Sequence, residues 1–424
     1  MLLKDFIINC ENKNFSYYDN KDWVDYENLS KHFTDESIPG KICEEWKNFD
    51  TSFLQKSNWT LPDLVKKNTT LSKKIEYENC IVLVDGIYNE SLSNVKNGSE
   101  IDILSLEKYI SCDNEAKNLI YNSPLKYSEN RISGKKDTKS TTLLSLNTIL
   151  NNGIVLVLDS KEEFHSSFKI LNLTTKRKTI INPYLLVVCK QNSNVSITDI
   201  SSNRDNNWIN PFYEIYVKEK ATLNFSALQS NTLENCTTGS LNFHVHQDGN
   251  VRVSLFNREN SKKDIRIFLK EKGAKAKVNG LLASSKDKAS DVFCKVVHTA
   301  KDTQSLQNWR LLSASESKTS VIGKIVVNKG ASKSDAKFFS KSLIINERAS
   351  SFSKPELEIF EGDISCAHGA SFGEIDKDKI FYLQSRGIKK KDAIKMLLLS
   401  FINEIGISDK FVTEYIFNEI NYYL

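Results

Sequence analysis

The residues of this chain best equipped for chemistry are Cys366 and His368, two positions apart. In an extended segment such neighbours project to the same side, so a soft thiolate and an imidazole converge. That combination suits iron, copper or an iron–sulfur unit. It also fits a Cys–His nucleophile pair, or a buried cysteine beside a bystander histidine. His244 and His246 show the same spacing on a predicted strand and could share a metal. No third ligand stands near them in the sequence, and the alternative is a partly solvated pair beside the Asp248-Gly249 bend. Cys294 and His298 also fall on one strand face. There a structural role is expected, with the thiol in the core and the ring satisfied at its rim.

Several chemistries have no foothold. The chain has neither G-x-x-x-x-G-K-[ST] nor G-x-G-x-x-G, so nucleotide binding through those loops is not expected. His-Glu-x-x-His is absent too. The eight cysteines are dispersed without a C-x-x-C pair, and the first fifteen residues lack a basic, then apolar leader. Reduced thiols in a cytosol-like compartment are the expectation. No apolar run approaches the roughly 18 residues of a membrane span. The 58 Lys and Arg against 53 Asp and Glu leave only +5, which argues against a nucleic-acid binder. Lys389-Lys-Lys391 reads as a solvated helix start.

Three textures could position these side chains. Residues 1–140 are irregular, with a helix-like patch from Trp59 to Lys67 and a Lys/Ser-rich linker from Ser128 to Ser140. From about Thr141 to Cys366 the apolar period is two, as in Leu241, Phe243, Val245 and in Val251, Val253, Leu255. Similar bends separate these strands: Lys218-Glu-Lys-Ala221, Gln247-Asp-Gly-Asn250, Glu271-Lys-Gly-Ala274, Asn328-Lys-Gly-Ala331 and Asn346-Glu-Arg-Ala349. Each places charged or polar residues before a small one, as a tight bend needs. Recurring bends without intervening helices fit a β-solenoid or a sandwich, and the pattern alone does not separate them. Gly369-Ala-Ser371 is expected to turn the chain into helices. Ile394, Leu397, Leu398, Phe401, Ile402 and Ile405 then form an amphipathic stripe, Gly406 ends it, and Ser408 is the expected cap of a second helix.

The stretch from Lys354 to Ser371, ending in Cys366-Ala-His368-Gly-Ala-Ser371, resembles the signature of the SufB/SufD family of the SUF iron–sulfur cluster assembly system. The similarity continues through Phe381-Tyr-Leu-Gln-Ser-Arg-Gly387, Ala393, Phe401 and Glu404. Upstream, Gly323-Lys-Ile-Val-Val327, Ser334-Asp-Ala336, Lys272-Gly-Ala274, Gly280-Leu281, His298 and Ser305 look similar as well. Leu146-Asn-Thr148 resembles the approach to the family's β-helix, and Glu45-Trp-Lys47 its N-terminal element. The resemblance covers roughly residues 140–408 in good order and the first 140 thinly. Gly369 and the Tyr382–Gly387 run resemble the SufD branch, whereas Ser371 stands where Thr is common and Phe338-Phe-Ser340 replaces a more polar stretch.

The resemblance implies a mainly β protein: a right-handed parallel β-helix core at 141–371, an N-terminal helical or irregular region with linker at 1–140, and a small helical domain at 372–424. It implies a scaffold with no catalytic turnover. Such a scaffold would pair with a SufB-like subunit through the β-helix and dock a SufC-like ABC ATPase through the C-terminal helices, forming a homodimer when alone. Cys366 and His368 become the candidate interface ligands for iron or a transient iron–sulfur cluster, neither held tightly by the isolated chain. Phe381, Tyr382, Leu383, Arg386 and Gly387 become the partner-binding residues. Nucleic acid and membrane are not implied; the cytoplasm, or a plastid stroma in a eukaryote, is. The contrasting expectation is a β-helix carbohydrate-active enzyme, which calls for clustered catalytic Asp or Arg, and no such cluster is visible.

Overall fold

The computed structural model describes residues 44–52, 59–60, 77–95, 100–106, 108–109, 153–160, 166–202, 206–230, 234–258, 260–407 and 409–420. The Ser128–Ser140 linker, residues 61–67, Leu146–Thr148, Ser408, and Cys10, Cys43 and Cys112 lie outside the described residues.

In chain order the strands begin with β1 (Cys80–Val84), β2 (Ile87–Tyr88), β3 (Ile101–Ser105), β4 (Ile154–Leu158), β5 (Ser166–Leu173), β6 (Ile180–Ile181) and β7 (Tyr184–Cys189). There follow β8 (Asn194–Ser202), β9 (Trp208–Ile209), β10 (Phe212–Val217), β11 (Thr222–Ser230), β12 (Cys236–Val245), β13 (Asn250–Asn257) and β14 (Ser261–Leu269). The last seven are β15 (Lys275–Ser284), β16 (Ala289–His298), β17 (Gln304–Ser313), β18 (Lys318–Val327), β19 (Ser334–Ile344), β20 (Ser350–Ile359) and β21 (Ile364–Glu374). Three helices close the chain: α1 (Lys377–Ser385), α2 (Lys390–Asn403) and α3 (Lys410–Ile420).

The strands form two sheets, ordered β2-β1-β5-β8-β11-β13-β15-β17-β19-β21 and β20-β18-β16-β14-β12-β10-β7-β4-β3, and from β10 onward successive strands alternate between them. From β5 onward the described neighbours within a sheet are parallel and one coil apart, as in Ala276↔Ser305 and Ser305↔Ala336. A parallel β-helix it is, and not a sandwich. Inward positions of the two sheets meet in one apolar core that includes Val251, Val253, Leu255, Ile265, Ile267, Cys294 and Phe338. The strict alternation of the sequence blurs in β7, where all six residues are buried. There the outer face is covered as well, by Leu106 with Tyr109.

The recurrent bends have one geometry. Ala221, Ala274, Ala331 and Ala349 each donate a backbone N–H to the carbonyl three residues back, and all four methyl groups point into buried space. Left-handed residues stack along this corner: Asn192 donates to Glu219, Lys220 to Gln247, Asp248 to Lys272, Gly273 to Lys301 and Asp302 to Ser332. A residue with positive φ costs little as Gly and about 1–2 kcal/mol otherwise. The ladder of backbone bonds along the axis offsets that cost.

The two ends differ. At the first coil, β2 folds back antiparallel on β1 through Asp85-Gly86, with φ +51° and +85°, and β3 runs antiparallel on β4. Two positive φ values define the tight hairpin turn that Asp-Gly favours, a signal the irregular texture of the first third concealed. At the last coil both β20 and β21 are edge strands with nothing beyond them among the described residues. Gly369-Ala-Ser371 does not turn the chain into helices: β21 runs straight through it to Glu374.

Helices α2 and α3 lie back along the outer face of the first sheet. Leu398, Ile402, Ile405, Val412 and Ile416 pack with Leu228, Phe256, Leu281 and Leu312. Asn308 and Asn279 donate to the carbonyls of Ile405 and Gly406, and Arg310 pairs with Glu404 at 3.2 Å. Asp409 accepts from the amide of Val412 at 3.0 Å and so caps α3. By contrast α1 buries no residue. It ends in a Schellman motif, in which Gly387 (φ +87°) donates to Gln384 and Ile388 to Leu383.

Candidate functional site at the open end of the solenoid

Cys366 and His368 both lie on β21, in register with Ala336 and Phe338 of β19. Ala336 and Phe338 are core residues, so both candidate ligands face the inner side of the coil. Phe338 forms the floor because Gly323 opposite has no side chain; a Cβ there would stand 2.0 Å from Phe338 Cε2. Since no further coil covers this mouth, its lining reaches the surface. Cys366 is half-buried against the core, while His368 is exposed. Leu357 and Ile359 of β20 and Phe372 of β21 share the exposed mouth, and Phe360 just beyond is 64% exposed. The sequence reading overlooked these apolar residues. Pro355, midway along β20, carries the missed signal, because a proline inside a strand marks an edge.

Burial raises the Cys366 thiol above its ordinary range, and the neighbouring Asp335 carboxylate adds to the effect. The thiol is therefore protonated at neutral pH and would lose its proton on binding a metal. Burial pushes Cys80 up to about 11 against the opposing Lys169 charge, and burial alone pushes Cys189 up to about 12. Cys236 and Cys294 are raised as well, again through burial. These four thiols are buried in the body of the protein and held in the protonated form at neutral pH. Among the described residues no three His, Cys, Asp or Glu side chains are grouped to hold a metal.

The other histidines take structural places. His244 is not partly solvated but fully buried, its Nε2 2.5 Å from Glu214 Oε1. Its ring is stacked between Tyr216 and Phe268, with centroids at 4.5 and 5.2 Å. His246 lies beyond the end of β12 and pairs with Glu271 at 3.0 Å. Each ring thus has its own carboxylate, which corrects the shared-metal expectation; His246 is partly solvated as expected of the pair, and His244 is not. Cys294 and His298 behave as expected, except that His298 is wholly buried. Its Nδ1 lies 2.8 Å from Thr303 Oγ1 and its Nε2 2.8 Å from Ser305 Oγ. Gly369-Ala-Ser371-Phe-Gly373 spells G-x-S-x-G. Within an extended edge strand it lacks the strand–turn–helix elbow that would make Ser371 a nucleophile.

The expected partner-binding residues gather on α1 and its cap. Phe381 is 73% and Tyr382 58% exposed, Arg386 stacks over the Tyr382 ring at 5.3 Å, Leu383 is half-buried and Gly387 closes the helix. The Glu-Trp-Lys element seen in the sequence docks far from the N-terminal cap. Trp46 is buried beneath the Lys262 ammonium, and Glu44 accepts from Lys354 of β20.

A family model described as the SufBD core domain of SUF system FeS cluster assembly matches residues 172–401, more than half of the chain. The chain belongs to the SufBD family. It is 22% identical over 390 residues to an iron–sulfur cluster assembly SufBD family protein of Synechocystis sp., a match spanning 87% of this chain and 83% of that one. It is 32% identical over 129 residues to the iron–sulfur cluster assembly protein SufD of Escherichia coli, 30% of each chain. A chloroplastic Arabidopsis thaliana protein, ABCI7, is 25% identical over 240 residues, 54% of this chain and 50% of that one. The Escherichia and Arabidopsis matches thus span half or less of those proteins. The family match takes in the solenoid from the end of β5 onward, α1 and most of α2, and stops short of the first coil and the Glu-Trp-Lys element. No described helix is long and apolar enough to cross a membrane.

Proposed function

We propose that this SufBD-family chain is a non-enzymatic scaffold subunit of a SUF iron–sulfur cluster assembly complex. It joins a SufB-like subunit end to end through its last coil and docks a SufC-like ATPase through its C-terminal helices. The asymmetry of the solenoid carries this reading. One end is closed by antiparallel strands, while the other leaves two edges of ten and eleven residues and an apolar mouth uncovered. Solenoids need capping ends and long free edges invite strand pairing, so a partner is the natural cover.

Cys366 and His368 stand on that edge and supply two soft or imidazole ligands. A four-coordinate iron would take its remaining ligands from the partner, as cargo held at the interface. The compartment would be the cytosol, or a plastid stroma in a eukaryote.

The test is co-expression with the SufB and SufC counterparts of the same SUF system. A wild-type chain that captures neither would sink the partner reading. Full cluster assembly by both Cys366→Ser and His368→Ala would sink the ligand assignment. Deleting 376–424 is the wrong way to map docking, since it uncovers Leu228, Phe256, Leu281 and Leu312. Point changes on α1 leave that packing intact.

A further inference from the structure

The outer face of the first sheet is only partly covered. Helices α2 and α3 pack over Phe256, Leu281 and Leu312. The elbow between them stops at Asn279 and Asn308, which donate to the carbonyls of Gly406 and Ile405 at 3.5 and 3.2 Å. Ahead of that border, the outward positions of β11, β13, β15 and β17 hold Arg252, Lys275 and Lys277 and no Asp or Glu. Arg252 and Lys275 are exposed and Lys277 is half-buried, and none of the three forms an ion pair among the described residues. Arg252 and Lys277 stand in register on neighbouring strands, about 4.8 Å apart. Like charges so placed work against the sheet, so the fold gains nothing from them.

The same cross-strand row continues into Leu306 of β17 and Lys337 of β19, whose charge Asp335 neutralises at 2.8 Å. Next to it, in register with Asn308, Phe339 points outward and is 41% exposed. Over four coils the row thus passes from cationic to apolar. A helix laid along it meets one strand per turn, because its pitch of about 5.4 Å is close to the strand spacing. Two carboxylates one turn apart would face Arg252 and Lys277, with Lys275 alongside. Two apolar side chains in the following turns would face Leu306 and Phe339. Single-stranded nucleic acid calls for successive rings to stack on, and Phe339 is the one ring among these positions. A lipid surface calls for a continuous apolar stripe, which the cationic half does not offer.

We propose that this row docks an amphipathic helix of a protein partner, acidic in one half and apolar in the other, which extends the helical layer begun by α2 and α3. The row lies on the outer wall of the coils and not at the open mouth. It goes beyond the scaffold reading and does not depend on it.

The experiment titrates the full-length chain with a fluorescein-labelled helical peptide that carries two Glu one turn apart, then two Leu one turn apart. Fluorescence anisotropy reads binding at low and high salt, and a control peptide has Gln in place of both Glu. The acidic peptide is expected to bind about tenfold or more tighter than the Gln peptide at low salt, and to lose that advantage at high salt. The double change Arg252→Glu, Lys277→Glu should abolish the preference and transfer it to a peptide with Lys in place of Glu. Phe339→Ser should weaken the acidic peptide about fivefold and leave its salt dependence in place. The melting temperature should hold or rise in Arg252→Glu, which sets a carboxylate opposite Lys277. A fall there would show that the cations serve the fold, and it overturns the proposal. No binding of the acidic peptide, equal binding of the Gln peptide, or a double variant within about twofold of wild type does the same. Displacement of the peptide by the SufB-like or SufC-like subunit would put the row inside those interfaces. Tighter binding to short single-stranded DNA or to phosphatidylserine vesicles would assign it another ligand, and either result also overturns the proposal.

Discussion

Lys354 donates to Glu44 at 2.8 Å, across 310 residues of chain. The contact ties the N-terminal Glu-Trp-Lys element to β20, an edge strand of the open last coil. Lys47 lies over the Phe352 ring of the same strand, and Trp46 is buried beside Lys262 of β14. The start of the described chain thus braces the part of the solenoid that the proposed partner would contact.

This brace predicts unequal effects. Trp46→Ala should cost about 3–5 kcal/mol of stability, the usual price of removing a buried indole. Lys354→Ala should cost under about 1 kcal/mol, because the ion pair is solvated. The hydrogen bond from Lys354, and then that from Lys47, hold the Glu44 carboxyl down to about 2. The pair should therefore stay charged as pH falls from 7 to 5, and weaken only toward pH 2. Urea midpoints of the two single variants and the double variant at both pH values would measure it.

Gly323→Ala should destabilise by about 1–3 kcal/mol through overpacking. Its new methyl would collide with the Phe338 ring under the candidate ligands. Adding Phe338→Leu should recover part of the loss in the same unfolding assay. An additive double variant would show that the two sites do not touch.

His298 predicts acid sensitivity. Burial pulls its imidazole from the usual 6.5 to about 4. Because the folded value lies below the unfolded one, the unfolded chain takes up a proton first as pH drops from 6.5. Stability should be flat above pH 7 and fall by on the order of 3 kcal/mol toward pH 4. His298→Gln should be less stable at neutral pH and lack most of that slope. An unchanged slope would assign the acid sensitivity elsewhere.

Thiol labelling should separate Cys366 from the core. Iodoacetamide applied to the native chain should modify Cys366 before Cys80, Cys189, Cys236 or Cys294, slowly at pH 7 and faster as pH rises. Peptide mass spectrometry reads the order. In the complex with the SufB-like subunit, protection of Cys366 would support the end-to-end reading, and unchanged labelling would count against it.

Much of this was legible in local chemistry. The period of two, the bends closing on Ala221, Ala274, Ala331 and Ala349, and the stripe from Ile394 to Ile405 each depend on residues a few positions apart. So does the shared face of Cys366 and His368, since alternation along a strand is a property of the backbone. What the sequence could not decide involves residues brought together over long distances. Parallel stacking in place of a sandwich depends on which strand neighbours which, about thirty residues away. The burial of His244 depends on Glu214 and on rings from two other coils. The exposure of Phe360 and Phe372 depends on β20 and β21 being last in their sheets. Only the tertiary structure turns an ordinary apolar strand into an uncovered edge, because an edge is defined by the neighbour that is missing.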